Sequence, residues 1–63
     1  PTQREAHDAV DTLLHEILHA AFHSYKIETE DEERIVERLA TALTTVFRDN
    51  PDLLKWVGRT LRD

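Results

Sequence analysis

The sequence predicts an all-α fold: a helical hairpin followed by a third, shorter helix. Apolar residues recur at three- and four-residue intervals in three separate stretches, and no stretch shows the alternation typical of a strand. Capping or proline signals stand where each stretch begins. We therefore expect helices at about 3–25, 30–48 and 51–61, which form one helical unit over residues 1–63.

The first helix is introduced by Thr2 and Glu5, which have the spacing of a capping box. In that motif a hydroxyl and a carboxylate satisfy free backbone N–H groups at the helix start. The apolar stripe of this helix consists of Ala6, Val10, Leu13, Leu14, Ile17, Ala21 and Tyr25. At 100° per residue these positions share one side of the helix, and we expect that side to be the core face.

The second helix is predicted to begin near Thr29 and Glu32, which repeat the capping-box spacing. Its apolar stripe consists of Ile35, Val36, Leu39, Ala40, Leu43, Val46 and Phe47. Asn50 and Pro51 are the residue types of an N-cap and a first helical position, so they indicate a third helix. The apolar side of that helix carries Leu53, Leu54, Val57 and Leu61. We expect Trp56 in the core or in an interface patch.

Composition excludes several classes of partner. Eight basic and thirteen acidic residues give a net charge of −5, which disfavours nucleic acid and anionic membrane surfaces because both attract clustered Lys and Arg. No apolar run approaches the roughly 20 residues that span a bilayer, and no signal-peptide pattern is present. We therefore expect a cytoplasmic protein. Because Pro1 stands where a methionine is usual and a helix follows at once, we also expect a fragment of a larger domain.

The first helix carries an HExxH motif, from His15 through Glu16 to His19. Two imidazoles one helical turn apart can bind one Zn²⁺, and the glutamate between them can act as the general base of a metallopeptidase. With His23, the two histidines lie about 140–220° round the helix from Val10, so we expect them opposite the core stripe. His23 is two turns from His15, so it is a candidate for a second metal site or for a symmetry-related chain. A further histidine, His7, is expected in the core or at its boundary.

A third zinc ligand is expected from the acidic start of the second helix. Several carboxylates there are explained by the helix dipole, which favours negative charge in the first turn. We prefer Glu33, because Glu32 has the capping position and Glu33 lies near the edge of the surface that faces the first helix. Glu32 and Glu37 remain alternatives, since Glu32 lies nearer the centre of the apolar stripe.

Residues 12–20 and 33–43 resemble the active-site helix and the following helix of phage-encoded and bacterial zinc metallopeptidases of the ImmA/IrrE-like, gluzincin type. The resemblance covers most of the chain, through Pro51. It implies zinc bound by His15, His19 and Glu33, with Glu16 as general base. It also implies the helical part of an α+β zincin-like domain, a peptide or protein substrate, and the cytoplasm of a bacterium or a phage-infected host cell.

Two functions follow from these expectations. The first is zinc-dependent hydrolysis of peptide bonds by a metal-activated water. The alternative is a helical interaction module whose metal is structural or bridges two chains, in which case the protein is a homo-oligomer.

Overall fold

The computed structural model describes residues 2–62, which form three α-helices. They are α1 (Gln3–Ser24), α2 (Glu32–Asp49) and α3 (Leu53–Arg62). No residue in this range forms a strand, so the predicted all-α fold is confirmed. Residues 1 and 63, the ends of the predicted unit, lie outside the described residues. Both α2 and α3 begin about two residues later than predicted.

The start of α1 has the predicted capping box. Thr2 Oγ1 accepts a hydrogen bond from the backbone N–H of Glu5 at 3.1 Å, and Glu5 Oε2 accepts from the N–H of Thr2 at 3.0 Å. Two N–H groups that have no partner within the helix are thereby satisfied.

A Schellman motif ends α1 and reverses the chain. Tyr25 is the C-cap, and Lys26 has a positive φ of 54°, the left-handed conformation usual for this position. The N–H of Lys26 donates to the carbonyl of His23 at 3.3 Å, and the N–H of Ile27 donates to that of Phe22 at 2.9 Å. The chain therefore leaves α1 in the direction that lets α2 run back beside it.

The second predicted capping box is wrong. Thr29 Oγ1 accepts from the N–H of Asp31 at 3.1 Å, so it closes a local turn before the helix. Asp31 is the N-cap of α2 and makes no side-chain capping bond, and α2 begins at Glu32. The Glu32 carboxylate does not reach back to the cap, because it hydrogen-bonds to His19 of α1 at 2.7 Å.

Asn50 also differs from its predicted role as N-cap of α3. Its side-chain Nδ2 donates to the carbonyl of Val46 at 2.8 Å, so it satisfies the end of α2 instead. The N–H of Leu53 donates to the carbonyl of Asn50 at 3.0 Å across a turn at Pro51 and Asp52, and α3 begins only after that turn.

Helices α1 and α2 pack as an antiparallel hairpin. Asp11 and Thr41 meet at one end of the contact, and His19 and Glu33 meet at the other. The contact line contains the buried residues Phe22, Val36 and Ala40, together with the half-buried Leu14, Leu18, Leu43 and Phe47. Small Ala40 lets the two backbones approach, and large Phe22 fills the space near the connection.

The predicted core stripe of α1 is wrong in its centre. Val10, Leu13, Ile17 and Tyr25 are 41, 60, 50 and 80% exposed, whereas Leu18 and Phe22, outside that stripe, lie against α2. The apolar arc of α1 extends about 180° round the helix from Leu13 to Phe22, which is more than one neighbouring helix can cover. Helix α2 covers the part that carries Leu18 and Phe22, and the remainder faces outward.

Two edges flank the contact line between α1 and α2. On one side, polar groups of α1 contact polar groups of α2. We call this side the polar edge, and it comprises Asp11, His15, His19, Glu32, Glu33 and Thr41. By helical periodicity, exposed aliphatic residues of both helices lie on the opposite side, the apolar edge, which comprises Val10, Leu13, Ile17, Leu39 and Val46.

The third helix adds little burial. Trp56 is 57% exposed, so it does not lie in the core of the described residues, and the alternative prediction of an interface patch stays a prediction. The accessible surface of 5421 Å² exceeds the roughly 4,200 Å² expected of a compact monomer of 7.4 kDa. Large apolar side chains contribute to this surface, since Leu54 is 55% and Leu61 is 81% exposed. Within residues 2–62, no helix has the length and apolar character needed to cross a bilayer.

Candidate metal centre

The two motif histidines lie on the polar edge, where α1 meets α2. Their side chains are 25% exposed for His15 and 28% exposed for His19. The expectation that they lie opposite the core face is therefore wrong. Helix α2 packs on the side of α1 that carries Leu18 and Phe22, which is next to the histidines. As residues i and i+4 on a straight helix they stand one above the other, and their ring centroids are 4.8 Å apart.

Glu33 from the first turn of α2 completes a group of three potential ligands with His15 and His19. One carboxylate oxygen lies 2.9 Å from His15 Nε2, and the other lies 3.0 Å from His19 Nε2. The two Nε2 atoms are 3.1 Å apart. The structure thus brings both Nε2 atoms and one carboxylate to a single point between the helices.

The three side chains could hold a metal ion, and their spacing can be compared with that of a tetrahedral zinc site. With bonds of about 2.0–2.1 Å, tetrahedral geometry places ligand atoms about 3.3 Å from one another. The two Nε2 atoms are 3.1 Å apart, close to that separation, and each has its own oxygen of Glu33 at 2.9 or 3.0 Å. With one ligand atom taken from each residue, the three atoms lie within 4.8 Å of one another, so a rotation of the exposed Glu33 carboxylate would bring one oxygen to both nitrogens. Two imidazoles and a carboxylate are also a ligand set that catalytic zinc sites use.

Glu32 contacts the other ring nitrogen of His19. Its Oε2 lies 2.7 Å from Nδ1, on the side of the imidazole that faces away from Glu33. The hydrogen bond to Glu32 raises the pKa of His19 above its ordinary value of 6.5, and the negative charges of Glu33 and Glu32 add to the rise against partial desolvation. His19 is therefore held between two carboxylates, one at each ring nitrogen.

The outer side of the group is open to solvent. The side chain of Glu33 is 69% exposed, and it stands in the first turn of α2, where the helix dipole favours its negative charge. Within residues 2–62 no fourth histidine, cysteine, aspartate or glutamate joins the group. A metal ion bound by these three residues would leave a coordination position for water or a substrate on this side.

The other candidate residues lie outside this group. Glu16 is exposed on α1, turned by about 100° from His15. Glu37, the alternative ligand one turn beyond Glu33, is exposed and does not join the group, and His23 is exposed beside the α1–α2 connection. His7 is half-buried and lines an apolar concavity of about 230 Å³.

Sequence reasoning missed the partnership between Glu32 and His19. The spacing from Thr29 favoured a cap, yet the periodicity of α2 already placed Glu32 nearer than Glu33 to the centre of the apolar stripe. A carboxylate at that position must face the neighbouring helix, and this was the available signal. The hydrogen bond from Thr41 Oγ1 to Asp11 Oδ2, 2.9 Å long, was also not predicted.

Comparison of the chain with protein-family models, curated proteins and solved structures finds no match. The function must therefore be argued from the geometry of the site and from the motif.

Proposed function

We propose that these helices carry the active site of a zinc-dependent peptidase. In this proposal His15, His19 and Glu33 bind the metal, and Glu16 is the general base. The observation that carries it is the convergence, within 3.1 Å, of two imidazole nitrogens from the HExxH motif of α1 and the Glu33 carboxylate of α2. The peptide or protein substrate and a bacterial or phage-infected cytoplasm follow from the family resemblance.

The number of ligands favours a catalytic site over a structural one. Structural zinc sites have four protein ligands, whereas catalytic sites have three and keep a position open. The group here has three, and the exposed side chain of Glu33 leaves its outer side accessible. A group of three ligands rather than four supports a catalytic role in hydrolysis.

Glu16 supplies the proton transfers that peptide hydrolysis needs. When zinc is bound it acts as a Lewis acid, which polarises the scissile carbonyl and lowers the pKa of water at the site. The Glu16 carboxylate accepts a proton from the water whose oxygen attacks the carbonyl carbon. It then gives that proton to the nitrogen of the leaving amine as the C–N bond breaks.

Zinc binding tests the first part of the proposal. We expect the purified wild-type protein to bind one zinc ion per chain, measured by metal analysis and by calorimetric titration. The His15→Ala, His19→Ala double variant should lose this binding, and Glu33→Gln should weaken it. His23→Ala and Glu37→Gln are matched controls outside the group and should bind as wild type does. Unchanged zinc binding in the double variant contradicts the site.

Hydrolysis tests the second part. We expect Glu16→Gln to lower the rate of cleavage of a fluorogenic peptide library by about 10²–10⁴-fold, because the amide cannot accept the proton. Its zinc affinity should equal that of wild type, since Glu16 is not in the ligand group. Glu37→Gln removes the same charge from an exposed helical position and serves as the control. Equal cleavage by wild type and Glu16→Gln excludes Glu16 as the base.

The exposed apolar edge favours one alternative, an interaction module in which the metal is structural or bridges two chains. In that case the open position beside Glu33 is filled by a ligand from a second copy. Sedimentation equilibrium with zinc and with a chelator separates the two functions. A dimer that the chelator dissociates supports bridging, and a zinc-bound monomer supports the peptidase site.

A further inference from the structure

We propose that Glu32 is a positioning residue, which fixes the tautomer and the ring orientation of His19 so that its Nε2 lone pair is directed into the metal centre. The inference rests on the proposed metal site and adds a residue to it. It also excludes Glu32 as the third ligand.

The tautomer follows from the hydrogen bond at Nδ1. A carboxylate faces each ring nitrogen of His19, Glu32 Oε2 at 2.7 Å from Nδ1 and Glu33 Oε2 at 3.0 Å from Nε2. An ionised carboxylate can only accept hydrogen bonds, so each contact uses a hydrogen of the ring. A neutral imidazole keeps only one hydrogen, and the shorter contact with Glu32 favours Nδ1 as the atom that keeps it. Nε2 then has the free lone pair, and a cation between His15, His19 and Glu33 would take the place of the hydrogen there.

The two neighbouring glutamates have different roles because they lie at opposite nitrogens of one ring. Glu33 shares the Nε2 side with His15, whereas Glu32 is on the Nδ1 side. A metal ion on Nε2 is therefore beyond the reach of the Glu32 oxygen that contacts Nδ1. Their exposure agrees with this division, since the Glu32 side chain is 39% exposed and that of Glu33 is 69% exposed.

Glu32 has no competing task at the start of α2. Thr29 Oγ1 already accepts from the N–H of Asp31, and Asp31 makes no side-chain capping bond that involves Glu32. The first-turn position fixes the backbone of Glu32, and the antiparallel packing of α2 on α1 brings its carboxylate to His19. Such partners of metal-binding histidines contribute about 10- to 100-fold to metal affinity.

Competition with a chromophoric chelator measures the zinc affinity of each variant. We expect Glu32→Ala to weaken zinc binding by about 10- to 100-fold. Glu32→Gln should recover part of the loss, because its amide oxygen still accepts from Nδ1–H. Glu30→Ala removes the same charge from the exposed turn before α2 and should bind zinc within about threefold of wild type. If Glu30→Ala loses as much affinity as Glu32→Ala, the effect is one of net charge and the inference is wrong.

A spectroscopic measurement separates positioning from a general effect on folding. Long-range ¹H–¹⁵N correlation spectra of the metal-free protein, recorded where His19 is neutral, report which ring nitrogen carries the hydrogen. We expect the Nδ1–H form in wild type and Glu30→Ala, and a shift towards the Nε2–H form in Glu32→Ala. A wild type that binds no zinc refutes the proposed function. If the wild type binds zinc, and Glu32→Ala has the same zinc affinity and the same tautomer as the wild type, only the role of Glu32 is refuted.

Discussion

The polar and apolar edges of the α1–α2 hairpin differ in whether their side chains find partners within the hairpin. On the polar edge the groups of α1 contact groups of α2 directly, as His19 does with Glu33 at 3.0 Å and Asp11 with Thr41 at 2.9 Å. On the apolar edge Leu13 remains 60% exposed, although it is as hydrophobic as residues of the contact line. Residues of α1 and α2 therefore form the candidate metal centre, whereas part of the hydrophobic surface of α1 stays exposed in the described residues.

The largest expected effect is a difference in stability between substitutions on the contact line and on the apolar edge. Phe22→Ala should lower the free energy of unfolding by about 3 kcal/mol, because Phe22 is only 8% exposed and its loss leaves a cavity. Leu13→Ala, the control on the apolar edge, should change it by no more than about 0.5 kcal/mol. Urea unfolding followed by circular dichroism measures both. An equally large loss in Leu13→Ala would mean that the apolar edge is covered in solution.

Zinc should stabilise the hairpin through the polar edge. At a free concentration one hundred times its Kd, a ligand that binds only the folded state adds about 2.7 kcal/mol to the free energy of unfolding. We expect this increase in wild type and in Leu13→Ala, and its loss in His19→Ala. Thermal unfolding over a zinc titration provides the measurement. The same stabilisation in His19→Ala would place the bound metal away from the polar edge.

The smallest effect is the pH dependence of the metal-free protein. Because Glu32 and Glu33 raise the pKa of His19 in the folded state, protonated His19 contributes stability below its unfolded pKa of about 6.5. This contribution is lost as the pH rises through the folded pKa. The urea midpoint should therefore fall as the pH rises above the unfolded pKa and through the raised folded pKa, and His19→Gln should remove the dependence on this site. Loading with zinc should reverse the sign, since protons compete with the metal for Nε2.

Short-range patterns predicted the fold well, because they depend on neighbouring residues. The capping box of Thr2 and Glu5 formed as expected, and the four-residue spacing of His15 and His19 placed both imidazoles together. The capping spacing that ends at Glu32 did not form, because His19 of another helix offers that carboxylate a closer partner. A local pattern contains no information about such a competitor.

The choice of packed face and of third ligand depends on how two helices meet, which periodicity does not specify. The apolar arc of α1 is wide enough for several placements of α2, and Phe22 lies at one limit of that arc. The placement next to Phe22 brings the histidines to the contact and sets Glu33 beside them. Seen from the sequence alone, Glu32, Glu33 and Glu37 were all available for that position.

The separation of the ligands along the chain has a consequence for folding. Fourteen positions separate His19 from Glu33, and the Lys26 turn lies between them. An ion bound to both residues acts as a reversible cross-link around a loop of that size, in a chain that contains no cysteine. For a covalent bridge the chain-entropy model assigns a 15-residue loop about 3 kcal/mol. The free metal concentration would then set the fraction of chains in which the hairpin is cross-linked, as the ambient redox potential sets the oxidised fraction of a disulfide.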